Sequence, residues 1–475
     1  MVDRFVGITV MPEYVQCEGI DEVLDNLVER ANATAVTTSP YVMAATSEGR
    51  GQREPPIDAG AGKVRLLDRP LWGQRELFVE TAPSFIPQTE LYRGVGYEPA
   101  MPGSLTYEQG HVVGDFLKAA RERGLKTYLQ IQAAIPPGYR VQFGGPSAED
   151  MPCMPDGTCP AERVASNASL AAPSIVAYQA ALIQDLLSVY PDIDGIRFDW
   201  PEYPPYELDS IFMDFSPHVE AYAAKSGIDF REVREQVSRL YQYLHGSLTT
   251  QDLERVDDAC KLIATRTTRP SADEPADSVM QWLQLKRELS NNLLSSFRTA
   301  MDDCGAKHVA LVAHAFPPPW SDLSGIDFAA GSGVVDHYCV KLYGMHWLMM
   351  IRFYADQLLN ANPDELDETA LIRSLFDAFD VDNESGAKLA SDVRYPAPEE
   401  PHPGTDATRA RKVSQAQTRA GKVPVHALEH GYGPTDDFAR RIRIALDASN
   451  HRIWVNRYGY LSDAKLDIIR QLGSF

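Results

Sequence analysis

Asp194-Gly195-Ile196-Arg197-Phe198-Asp199-Trp200-Pro201-Glu202-Tyr203-Pro204 is the stretch that decides the fold of this chain. A short run, Gly195 to Trp200, alternates in the manner of a strand and is then stopped by two prolines. The residues before it, Ile175 to Val189, carry a helical apolar pattern. Period-two geometry puts Arg197 and Asp199 on one face of the strand. There the guanidinium is expected to hold the carboxylate ionised.

The same strand-after-helix rhythm extends in both directions. Toward the N-terminus the runs are Phe5 to Val10, Thr34 to Thr38 and Thr127 to Ala133. Toward the C-terminus they are Val309 to Ala313, about Val335 to Leu342, Pro424 to Leu428 and Arg452 to Asn456. Helical patterns separate them: about Asp21 to Ala31, Val112 to Ala120 ending at Gly124, Trp282 to Phe297, and a last one from about Ser462 to Leu472. Eight apolar strands alternating with helices imply a parallel sheet covered by helices, and eight closes a barrel. The fold class expected is therefore α/β, a (β/α)8 barrel with Asp194 to Asp199 as strand four. The rival, an open doubly wound sheet, usually has a glycine-rich turn after its first strand; here that strand runs into Met11-Pro12-Glu13-Tyr14.

A chain of 475 residues exceeds a minimal barrel of about 250 residues but not one with insertions. We read it as a single catalytic barrel over 1–475, with insertions at 40–108, 207–275 and 362–422 after strands two, four and six. The first is expected to hold a hairpin, Lys63 to Leu67 with Glu76 to Glu80. The second reads as largely helical. The third ends in an apolar-poor stretch, Tyr395 to Lys422, expected to be mobile.

The 66 acids outnumber the 45 bases, for a net charge of −21, which argues against a nucleic-acid partner because phosphates need clustered Lys and Arg. No apolar run approaches the roughly 18 residues of a membrane span. No secretory pattern precedes Phe5, so the cytoplasm is the default expectation. Homo-oligomerisation is left open. Cys17, Cys260, Cys304 and Cys339 read as isolated buried thiols. Cys153 and Cys159 flank a loop and leave free thiols, a local disulfide or half a metal site open.

Catalytic groups of such barrels sit at the C-terminal ends of strands. The residues gathered there are Glu13 and Tyr14 (strand one), Gln130 and Gln132 (three), Arg197, Asp199, Trp200 and Glu202 (four), and His314, Phe316 and Trp320 (five). Strands six to eight add Lys341, Tyr343, His346 and Trp347, then His426, Glu429, His430 and Tyr432, then Trp454, Asn456, Arg457 and Tyr458. Aromatic planes stack on sugar C–H faces, and paired carboxylates suit glycoside hydrolysis. A carboxylate ringed by Trp and Tyr has its pKa raised, as a general acid requires.

The string Asp194 to Asp199 resembles the fourth strand of the alpha-amylase superfamily. The segment Phe212 to His218 and on to Ser226-Gly227-Ile228-Asp229 resembles the region after that strand in the same barrels. This implies Asp199 as nucleophile. His426-Ala427-Leu428-Glu429-His430-Gly431-Tyr432-Gly433 is similar to the strand-seven nucleophile segment of the retaining glycosidase clan with glutamates on strands four and seven, in which Tyr343 and Trp454 also find counterparts. Neither likeness is complete. The strand-five acid of the amylases is replaced by Ala313-His314-Ala315, and the Asn-Glu pair of the second clan is missing.

The joint expectation is a glycosidase acting on a small or oligomeric carbohydrate with retention. Glu429 is its nucleophile and Asp199 or Glu202 its acid/base. Glu13, Tyr14, Gln132, Arg197, Trp200, His314, Trp320, Lys341, Tyr343, His430, Trp454 and Asn456 are expected to bind the sugar. No cofactor or metal is expected. The alternatives are a metal-dependent isomerase or lyase using His314, Glu429 and His426, and a carbohydrate-binding barrel without catalysis.

Overall fold

The structure, a computed structural model, describes residues 4–57, 65–160, 163–253 and 276–472. Its centre is a closed barrel of eight parallel strands in consecutive order. Strands one to eight are Phe5–Thr9, Ala35–Thr38, Lys126–Gln132, Gly195–Asp199, Ala310–Ala315, His337–Lys341, Val425–His430 and Arg452–Asn456. Strand one closes the ring on strand eight, with Gly7 opposite Trp454 and Thr9 opposite Asn456. The (β/α)8 expectation agrees with this in topology and in every strand.

The interior is filled in layers, as this fold requires. Its lower part is aromatic. His337 and His426 stack at 4.0 Å, Phe5 lies 4.7 Å from His426, and Tyr128 meets Trp454 edge-on at 5.2 Å. Such rings fit because two facing positions have no side chain. A Cβ on Gly7 would stand 2.2 Å from Trp454, and one on Gly195 2.4 Å from Tyr128. Arg197 lies over the Trp454 ring at 3.9 Å, fully buried, and donates to Thr9 Oγ1 at 3.1 Å. Above this level the interior becomes polar and opens into a cavity.

The insertion after strand two forms a three-stranded antiparallel sheet of Tyr41–Thr46, Leu77–Pro83 and Gln52–Glu54. The strand expected at Glu76 to Glu80 exists, but it pairs with Tyr41–Thr46 and Gln52–Glu54. Arg65 to Leu67 is not a strand, and Lys63 lies outside the described residues. The insertion after strand four is helical where described: Leu208–Ile211, Pro217–Lys225, Phe230–Leu244 and Thr250–Leu253.

The third insertion corrects an expectation. Much of its apolar-poor stretch is a helix, Asp406–Ala420, capped by Thr405. It packs through cations. Lys412 is fully buried and donates to the carbonyls of Phe379 (2.6 Å) and Pro318 (2.8 Å). Arg409 is buried against Glu429. Composition misled because burial here runs through hydrogen-bonded charge.

Of the cysteines, Cys339 is buried, Cys17 half-buried and Cys304 exposed, so the buried reading fails for Cys304. Cys260 lies outside the described residues. Cys153 and Cys159 are thiols with their sulfurs 3.2 Å apart.

Strand seven is tied to its two flanking helices by one ionic cluster. Glu429 accepts from Arg409 Nη1 at 2.9 Å and from Arg441 Nη1 at 2.6 Å, and all three side chains are fully buried. Arg441, on the helix Thr435–Ala448, also holds Asp437 at 2.7 Å. Removing one member of such a cluster leaves buried charge uncompensated. Glu429→Gln should therefore lower the unfolding free energy by about 3–5 kcal/mol, read as a drop in the melting temperature.

Candidate active site

A cavity of about 360 Å³ opens at the C-terminal ends of the strands, a volume suited to a small ligand. Asp199, at the end of strand four, lies at its inner surface, beside Gln132 of strand three. Lys341 Nζ approaches Asp199 Oδ1 at 2.8 Å and His314 Nδ1 approaches the same oxygen at 3.0 Å. Three neighbouring strands thus converge on one carboxylate oxygen. Oδ1 is shut off from the surface, and Asp199 still keeps 16% of its side-chain exposure, so Oδ2 is the oxygen offered to the cavity. Burial pushes the Asp199 carboxyl up, but Lys341 and His314 outweigh it and hold it well below the usual range. Burial lowers His314 to about 4 despite Asp199. At neutral pH the Asp199 carboxyl is ionised and the His314 imidazole neutral.

Backbone geometry shapes the rim beside Asp199. Trp200 adopts φ 52°, the left-handed region, and the chain turns sharply there. Such a conformation in a bulky residue is costly and persists only where surroundings enforce it. The Trp200 ring is held between Lys341 Nζ, 4.7 Å from its centroid, and Tyr206, edge-on at 6.3 Å.

The opposite wall comes from strands six to eight. Tyr343 accepts from Asn456 Nδ2 at 2.9 Å and meets His430 edge-on at 5.1 Å. The Tyr432 amide donates to His430 Nδ1 at 3.0 Å. A neutral His430 therefore carries its proton on Nε2. The remaining wall is supplied by the insertion after strand two and the connection after strand three. Arg140 binds Glu13 Oε1 (3.0 Å), Tyr41 Oη (3.0 Å) and Glu54 Oε2 (2.6 Å). Arg457 also pairs with Glu54.

Of the residues expected to form the site, the cavity brings together Asp199, Gln132, Trp200, His314, Lys341, Tyr343, His430 and Asn456. It does not reach the others. Glu429 points outward, because strand seven runs to His430 and alternation turns His426, Leu428 and His430 inward. Glu202 is fully buried behind the rim. It accepts from the Phe316 amide at 3.0 Å and from Ser324 Oγ. Arg197 shares a face with Asp199 but forms no ion pair with it; the guanidinium sits a layer lower, on Trp454. Trp320 stacks on Phe379 (5.0 Å) and Trp347 (6.0 Å) within the helical layer. Tyr14 packs on Tyr458. Glu13 is buried and occupied by Arg140 and Tyr41.

His314, Glu429 and His426 point to three different places, so the metal set weighed from sequence is not assembled. No cluster of three metal-ligating side chains occurs among the described residues. The lining residues that strand-end reasoning did not select include Arg140, Arg163 and Tyr206. They lie on long connections with no periodic signal.

No family model and no curated protein matches this sequence. Solved structures do match in shape. A β-galactosidase from the Antarctic haloarchaeon Halorubrum lacusprofundi superposes with a TM-score of 0.50 at 10% identity, covering 98% of this chain and 57% of that one. The β-galactosidase of Marinomonas ef1 gives 0.47 at 9% identity, covering 96% and 54%. The catalytic domain of a Paenibacillus polymyxa β-amylase gives 0.45 at 9%, covering 98% and 95%. The likeness is one of fold: the chain is a (β/α)8 barrel. It spans a little over half the length of the two β-galactosidases. No helix among the described residues is long and apolar enough to cross a membrane.

Burial pushes Glu202 up to about 7, from an ordinary 4.5. A carboxyl raised on folding binds its proton more tightly in the folded state. Its contribution is complete below pH 4.5 and is lost as pH rises through 7. The melting temperature should accordingly carry a downward component between pH 4.5 and 7, measured by calorimetry, and Glu202→Gln should flatten that slope.

Proposed function

We propose that this chain is a glycoside hydrolase in which Asp199 is the nucleophile on the anomeric carbon of a small or oligomeric carbohydrate. One observation carries the reading. An ionised carboxylate, held through ion-pair contacts on one oxygen, presents the other to an open polar cavity at the C-terminal end of the barrel strands. Lys341 and His314 keep Asp199 charged and oriented, and they neutralise part of its charge without blocking Oδ2. Attack by Oδ2 forms a glycosyl ester and expels the aglycone oxygen. Water then hydrolyses the ester, so the anomeric configuration is retained.

The leaving oxygen needs a proton. Glu202 has a suitable pKa but no access to the cavity. We assign to His430, on the cavity wall, a hydrogen bond from Nε2–H that stabilises the departing oxygen, whose proton comes from solvent water. Trp200 and Tyr343 offer ring faces for the sugar, and Gln132 and Asn456 offer amides to its hydroxyls. Neither a nucleic acid nor a membrane is part of this reading.

A second reading is favoured by a specific observation. Asp199 is the only carboxylate among the described lining residues, whereas glycosidases usually use two. On that reading the chain binds carbohydrate without cleaving it. A screen of aryl glycosides separates the two. The enzyme reading expects turnover, a fall of roughly a thousandfold or more in kcat for Asp199→Asn, and of roughly a hundredfold for His430→Ala. Proton NMR of the first-formed product should show the substrate's own anomer. Undiminished kcat in Asp199→Asn would remove Asp199 from the chemistry. Sugar binding without turnover would favour the second reading.

A further inference from the structure

The charge of the cavity opposes that of the protein. The chain carries −21 overall, yet Arg65, Arg140, Arg163, Lys341 and Arg457 line the cavity, and Asp199 is the one carboxylate among its described lining residues. Part of this charge is balanced. Lys341 is matched by Asp199, and Arg140 and Arg457 by Glu13 and Glu54 behind them. Arg163 is different. It is held by Asn167, through Oδ1 at 3.2 Å and the carbonyl at 2.9 Å, and by the sulfurs of Met213 (3.6 Å) and Met151 (3.8 Å); it forms no ion pair with a described carboxylate, and Glu207 and Asp214 favour its charge only from beyond ion-pair distance. Arg197, fully buried a layer below Asp199, forms none either. Desolvated guanidinium charge of this kind is most readily compensated by an anion. A neutral sugar would add nothing to the distant compensation that Arg163 has from Glu207 and Asp214.

Resting on the reading of this cavity as a glycoside site, we propose that its substrate is an acidic sugar, a glycoside bearing a carboxylate on the ring bound at Asp199, with Arg163 as its specificity-determining partner. The planar guanidinium matches a carboxylate in geometry as well as charge. Arg140 and the Gln142 beside it complete that wall. The placement also separates the two charges. Asp199 sits at a strand end inside the barrel, and Arg163 on the connection outside it, so a ring spanning them turns its anomeric carbon to Asp199 and its carboxylate to Arg163.

The test compares matched pairs of 4-nitrophenyl glycosides, glucoside with glucuronide and galactoside with galacturonide, in both anomers. Binding of glucuronate, galacturonate, glucose and galactose to the same protein is measured in parallel by calorimetry. The acidic member of at least one pair should be preferred by roughly ten- to a hundredfold in kcat/KM, and the preference should shrink with added salt. Arg163→Gln should bring the ratio near one, mainly through KM, and Arg163→Lys should keep part of it. Turnover that favours the neutral members, or an unchanged ratio in folded Arg163→Gln, would overturn the inference and leave the hydrolase reading standing. Binding of uronates without turnover would uphold the acidic ligand and remove the hydrolase. Binding of none of the four sugars with turnover of none of the glycosides would overturn both.

Discussion

The contact of Asp199 Oδ1 with both Lys341 and His314 is the constraint on which the rest of the site depends. Strands four, five and six each contribute one charged or polar side chain to a single point inside the barrel. Two polar partners on one oxygen are what allow the carboxylate to stay ionised while nearly buried. They also fix which oxygen remains available. If the cluster were replaced by apolar residues the barrel would still close, because the aromatic layer below fills it independently. The chemistry of the cavity would be lost.

The other buried charges of the molecule serve the walls. Glu429 with Arg409 and Arg441 fastens strand seven to two helices. Glu13 and Glu54 with Arg140 and Arg457 fasten the insertion sheet to the barrel mouth. Both clusters sit outside the strand ring or above it, and both keep cationic side chains rigid. The second does so at the cavity surface, which is why a strongly acidic protein has a cation-rich pocket.

Most of the barrel is legible in the sequence, because each strand is a short apolar run and each is bounded by a helix pattern. The site is legible only in part. Alternation correctly places Arg197 and Asp199 on one face, but the partner of Asp199 is two strands away, and no local pattern announces Lys341. The apolar run of strand seven stops at Leu428, whereas the strand itself continues to His430. Those two residues make His430 inward and Glu429 outward, so an error of boundary becomes an error of role. The arginines that hold Glu429 lie on helices, one 20 residues before it and the other 12 residues after it. Such long-range pairing has no periodic signature. The helix Asp406–Ala420 escapes sequence reading for a related reason, since its buried face is partly cationic.

The central claim is that Asp199 is the group that attacks the anomeric carbon. Mechanism-based cyclitol epoxides, in neutral and carboxylated forms, esterify the nucleophile of a retaining glycosidase, and the adduct is located by mass spectrometry of the digested protein. The account predicts one adduct per chain on the peptide that contains Asp199, with no labelling of Asp199→Asn. An adduct on Glu202 or Glu429, or inactivation with Asp199 unmodified, would contradict it.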